Sequence, residues 1–82
     1  MLSRYLDAAL KHARYEILQD DGSFYGEIPE CSGVYANAPT LEECREELAQ
    51  VLEDWLLLRI HSHMPVPTID GIEIKVAEEP VA

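Results

Sequence analysis

Between Asp20 and Trp55 the hydrophobic period of the chain changes, and few architectures accommodate that change. From Arg14 the pattern has period two: Tyr15 and Ile17 share a face, and Asp21-Gly22 supplies a hairpin turn. Phe24, Gly26 and Ile28 then alternate with Tyr25 and Glu27 along a second strand. Pro29 cannot donate to a ladder, so it ends that strand or lies at its edge. After the Pro29-Glu30-Cys31-Ser32-Gly33 corner, a third strand runs through Val34, Tyr35 and Ala36. At Thr40 the pattern turns helical. The Thr40 side chain can accept the Glu43 amide while the Glu43 carboxylate reaches back to the Thr40 amide. Glu42, Glu43, Glu46 and Glu47 suit the positive end of the helix dipole.

The flanks complete the outline. Leu2, Tyr5, Leu6, Ala9, Leu10 and Ala13 make one stripe of a leading helix, with Arg4, Asp7 and Lys11 opposite. In the main helix, Leu41, Cys44, Leu48, Val51, Trp55 and Leu58 alternate three- and four-residue steps and predict a single core stripe across the sheet. Met64-Pro65-Val66-Pro67 ends this helix, because neither proline can continue it. Asp70-Gly71 is a turn, after which Ile72, Ile74 and Val76 alternate with Glu73 and Lys75 as a last strand. The prediction is an α+β fold of two layers in the order α-β-β-β-α-β, an antiparallel sheet packed by one long helix. A single domain spans 1–82, with the leading helix at 1–13, a three-stranded meander at 14–37, the main helix at 40–62 and the last strand at 71–77.

At roughly 100° per residue, Leu56, Leu57 and Ile60 point to the side where Glu42, Glu46 and Glu53 point earlier. Either the leading helix or a second subunit must cover them. A second subunit is favoured, because exposed apolar patches mark contacts, and a dimer or tetramer is expected.

Charge and chemistry narrow the function. Sixteen acids against six bases leave a net charge of −10, which disfavours direct contact with phosphate backbones and suits a basic protein partner. The α-β-β-β-α order is also that of double-stranded RNA-binding domains. Those place lysines at the start of the second helix, where this chain carries Glu42, Glu43, Glu46 and Glu47, so RNA binding is not expected. His61 and His63 diverge on a helix, and His12 is distant, so no metal site is expected. Cys31 lies in the corner beside Glu27 and Glu30, which oppose thiolate formation, and Cys44 falls on the core stripe. With no phosphate-binding glycine loop and no Gly-x-Ser-x-Gly elbow, no catalytic residue, enzyme activity or cofactor is expected. Met1 to Ala13 lacks the continuous apolar run of a signal peptide, and the longest apolar run, Trp55 to Leu58, is too short to span a bilayer. A reducing cytoplasm is the expected home.

The run from Asp21 to Ala36, with its Asp-Gly turn and its strand ending in Pro-Glu-x-x-Gly, resembles the HicB-like antitoxin family. Thr40-Leu41-Glu42-Glu43-Cys44 is similar to that family's helix start, and Met64-Pro65-Val66-Pro67 to its proline-rich exit, so the resemblance covers about residues 14 to 76. The leading Leu2-to-Leu10 helix is similar to a subgroup of short, stand-alone bacterial members. The resemblance implies a partial ribonuclease H-like fold without catalytic carboxylates. It also implies a protein that binds and blocks a small basic HicA-like toxin, a ribonuclease that cleaves messenger RNA. Many members continue into a DNA-binding domain, for which the six residues after Val76 leave no room, so operator binding is not expected. The expected partner surface is the second and third strands and the corner between them: Tyr25, Glu27, Glu30, Tyr35 and Asn37. The other expectation is a stand-alone oligomeric domain with a regulatory or small-ligand-binding role and no toxin partner.

Overall fold

A computed structural model describes residues 2–74. The element order is α1 (Leu2–Lys11), β1 (Arg14–Ile17), β2 (Phe24–Glu27), β3 (Tyr35–Ala38) and α2 (Leu41–His61). The strands form one antiparallel sheet in the order β1-β2-β3. The expected α+β architecture is present, with α2 packed on β2 and β3 and also touching α1.

The hairpin turn rests on two local devices. Gly22 adopts a positive φ of 72°, open to a residue without Cβ, and the Asp21 carboxylate accepts from both the amide and the hydroxyl of Ser23. Those hydrogen bonds hold the Asp21 carboxyl below its ordinary value. They fix the register in which Tyr15 faces Gly26 and Ile17 faces Phe24, while Gly26 and Phe24 face Ala36 and Ala38. Side chains alternate across a strand, so Tyr15, Gly26, Ala36, Ile17, Phe24 and Ala38 share the face toward α2. Small residues let the helix come close. The Cys44 thiol lies over Gly26 and donates to the Ala36 carbonyl at 3.7 Å.

Helix α2 begins as its sequence requires. Thr40 is extended, and its hydroxyl oxygen accepts the Glu43 amide at 3.1 Å. The reciprocal bond differs from expectation: the Thr40 hydroxyl itself donates to Glu43 Oε1 at 3.0 Å. The buried row also departs from the predicted stripe. Cys44, Leu48, Leu52 and Leu56 are buried, Val51 and Trp55 are half-buried, and Leu41 and Leu58 are exposed. A row with four-residue steps drifts about 40° around the axis per step, so one ridge can serve both the sheet and α1. The three-four alternation assumed a single straight contact surface.

That drift corrects a further expectation. Leu56 is 1% exposed and belongs to the core cluster with Tyr5, Ala8 and Ala9 of α1, so it is covered within the subunit and offers nothing to a second one. Ile60 is half-buried against the same core, whereas Leu57 stays 49% exposed. Tyr5 anchors α1 by donating from its hydroxyl to the Pro67 carbonyl at 2.6 Å, and burial pushes its phenol well above the ordinary range.

The helix stops with Ser62 N–H on the Leu58 carbonyl, His63 at a positive φ of 56° and Met64 N–H on the Arg59 carbonyl. The expected Asp70-Gly71 turn is present, both residues at positive φ, closed by a bridge between Ile69 and Ile72. Among the described residues this isolated bridge is all that stands where the last strand was expected, and Val76 lies outside them.

Candidate functional site

The side of the sheet turned away from α2 carries six side chains in two rows. Glu16, Tyr25 and Asn37 lie opposite one another in the first, and Arg14, Glu27 and Tyr35 in the second. Four of the five residues expected to meet a partner therefore fall on one face. Tyr25 and Tyr35 meet diagonally across β2 and β3, with ring centroids 6.3 Å apart and planes inclined by 27°. The Tyr25 hydroxyl donates to Glu27 Oε1 at 3.0 Å, and this bond to a carboxylate is the main cause that raises the phenol pKa. Asn37 has a structural task as well: its amide donates to the Phe24 carbonyl and the Ser23 hydroxyl, tying β3 to the hairpin.

Glu30 is the exception. Its carboxylate accepts from His12 Nδ1 at 2.8 Å, while His12 Nε2 contacts Asp70 Oδ1 at 2.7 Å. Both ring nitrogens can donate only in the imidazolium, so this geometry selects the charged ring. The hydrogen bonds to Asp70 and Glu30 raise the His12 pKa, and that of Glu30 is lowered by its own backbone and by His12. Glu30 thus closes a clasp between the end of α1, the corner and the Asp70-Gly71 turn. Sequence spacing gave no hint of it, because the three residues come together only in the fold.

The corner itself is held from below. Trp55 Nε1 donates to the Ser32 carbonyl at 3.1 Å, and the Arg59 guanidinium stacks 4.5 Å from the Trp55 ring while donating to the Pro65 carbonyl. Cys31 of the corner is buried against Tyr5, and burial pushes its thiol up. Burial does the same to Cys44. Neither thiol has the electropositive setting of a nucleophile. Among the described residues no group of three or more His, Cys, Asp or Glu side chains is placed to hold a metal ion. No helix among them is long and apolar enough to cross a membrane.

Several recesses flank the sheet, among them one of about 260 Å³ between Arg14, Glu16, Tyr25 and Glu27 on the outer face. An open one of about 290 Å³ lies where Tyr25, Glu27 and Tyr35 meet the corner residues Pro29, Ser32 and Gly33. A larger one of about 930 Å³ separates the end of α1 from the start of α2 over β1, among Leu10, Ala13, Tyr15, Leu41, Arg45 and Ala49. Period two alone would have added Arg14 and Glu16 to the outer face. The corner's share in the recess beside Tyr35 required the fold.

These features define an acidic two-layer α+β domain with one covered and one open sheet face. Residues 4–67 match the UPF0150-like family model, and the chain belongs to that family. It is similar to TTHA0281 from Thermus thermophilus, known from a crystal structure, with 37% identity over 94% of this chain and 95% of that one and a TM-score of 0.85. A comparison with curated proteins found no match.

Proposed function

We propose that the chain is a non-catalytic, HicB-like antitoxin-type protein that binds and neutralises a small basic, mRNA-cleaving toxin of the HicA kind. Membership of the UPF0150-like family, which is HicB-related, supports the antitoxin class. The observation that carries the reading is the open sheet face, where two tyrosines lie beside Glu27 and Glu16 with no element of the described chain packed over them. Aromatic anchors among acidic groups suit a basic protein surface, and the net charge of −10 would speed its capture. The test is to identify a small basic reading frame flanking this gene and to express its product with and without this chain. Rescue of growth together with co-purification supports the reading; arrest that this chain does not relieve, with no complex recovered, contradicts it.

A second reading, a stand-alone oligomeric domain, draws on another patch. Leu57, Leu58 and Met64 are exposed together near the end of α2. Sedimentation at micromolar concentration separates the readings on this point. A lone monomer removes the oligomeric one.

A further inference from the structure

The open recess at the upper end of the outer face has the makings of a receptor for one cationic side chain. Its volume of about 290 Å³ falls just below the ~300–1,000 Å³ of ordinary ligand pockets, so it accommodates a side chain better than a cofactor. Its walls differ in kind. Tyr35, 60% exposed, presents one ring face away from Tyr25, and the corner supplies backbone at Ser32 and Gly33. Gly33 has a positive φ of 95°, and nothing lies within 4 Å of where its Cβ would be, so the rim there is open.

Glu27 supplies the charge. The Tyr25 hydroxyl occupies its Oε1, which fixes the carboxylate, while Oε2 accepts no hydrogen bond among the described residues. Arg14 stands opposite Glu27 on β1, yet the only ion pairs within 4 Å among the described residues are those of His12. Glu27 therefore keeps an unfilled acceptor among the described residues and lines this recess together with the Tyr35 ring, while it also lines a neighbouring recess of about 260 Å³ beside Arg14. A planar guanidinium satisfies both at once, stacking on the ring and donating to the carboxylate, which an ammonium does less well.

We propose that the recess formed by Tyr25, Glu27, Tyr35 and the Ser32-Gly33 corner binds an arginine side chain of a basic partner protein. This rests on the reading of the outer face as the partner surface, but it can be tested without the partner. Arginine enters from the β3 side, its guanidinium over Tyr35 and its N–H groups on Glu27 Oε2. Arg14, approaching the same carboxylate from β1, competes with it.

The test is a titration of the full chain, followed by NMR, with the capped tripeptide acetyl-Gly-Arg-Gly-amide, its citrulline counterpart and its lysine counterpart. The arginine peptide should shift the ring signals of Tyr25 and Tyr35 saturably, the citrulline peptide should not, and the lysine peptide should bind more weakly. Glu27→Gln should weaken the arginine peptide by about tenfold, the usual scale for a lost charged hydrogen bond. Arg14→Ala should tighten it, and Glu46→Gln, on the distant helix, should leave it unchanged. Equal affinity for lysine, shifts confined to the acidic start of α2, or indifference to Glu27→Gln would each overturn the assignment. Binding of the peptide by a chain that fails to rescue growth would leave the site standing and remove the toxin reading.

Discussion

Along β2 and β3 the residues of the sheet's two faces alternate, and the faces obey different constraints. The inner face is Phe24, Gly26, Ala36 and Ala38, mostly small because Cys44 and Leu48 of α2 must lie directly on it. The outer face is Tyr25, Glu27, Tyr35 and Asn37, large and polar, with no helix to accommodate. Inner positions are limited by volume to fractions of an ångström. Outer ones touch mainly one another and solvent, so folding leaves them free to be selected for something else, apart from Asn37, which ties β3 to the hairpin. A residue's place in the two-residue alternation therefore separates what holds the fold from what can meet a partner.

The most disruptive change should lie on the inner side. Leu48→Ala opens a cavity beneath the helix and should cost about 2–5 kcal/mol in urea unfolding; a loss near zero would mean that α2 is not anchored on this face. Next comes Gly26→Ala. An added Cβ would stand 2.7 Å from Tyr15 Cε1 and 3.2 Å from Cys44 Sγ. Overpacking of this kind costs about 1–3 kcal/mol, toward the lower end where the half-buried Tyr15 ring can swing away. On the outer face, Tyr35→Ala should cost no more than about 1 kcal/mol, the scale of one aromatic pair. A larger loss would show that the outer face also carries the fold and would erase the contrast.

The smallest effect concerns Glu30, which sequence order places with the outer face and the fold places in the His12 clasp. The folded His12 pKa is raised above its ordinary 6.5, so its contribution is complete below that value and lost as pH rises through the folded pKa. Glu30 is lowered from 4.5, so its contribution is complete above that value and lost as pH falls through the folded pKa. The clasp thus helps fully between about pH 4.5 and 6.5. Urea midpoints should decline from pH 6 to pH 8.5 in the native chain and decline less in His12→Gln. Parallel profiles would place Glu30 back among the free surface acids.

How far the sequence carries the argument differs from element to element, for physical reasons. Local signals held: the Asp21-Gly22 turn, the Thr40 cap and the proline stop each act within a few residues. The alternation along β2 was equally legible and set Tyr25 and Glu27 on one face, while the β2–β3 register brought Tyr35 and Asn37 to join them. The α2 row was not, since which of Leu52, Val51, Leu56 or Leu58 is buried depends on how the helix crosses both the sheet and α1. Leu56 went from an expected subunit contact to core for that reason. The His12–Glu30–Asp70 clasp was beyond reach, joining residues 18 and 58 positions apart. Period-two patterns survive because they are local, whereas three-body packing is settled only by tertiary geometry.

On the proposed function, the outer face and not the core beneath it determines binding. Isothermal titration of the basic partner recovered in the growth-rescue experiment into the native chain and into the Tyr25→Ala, Glu27→Lys double variant decides this, with urea unfolding of both to show an intact fold. The expected result is a comparable unfolding midpoint with affinity weakened by at least about 2 kcal/mol, the scale of an interface hot spot. Undiminished affinity in a folded double variant would contradict it.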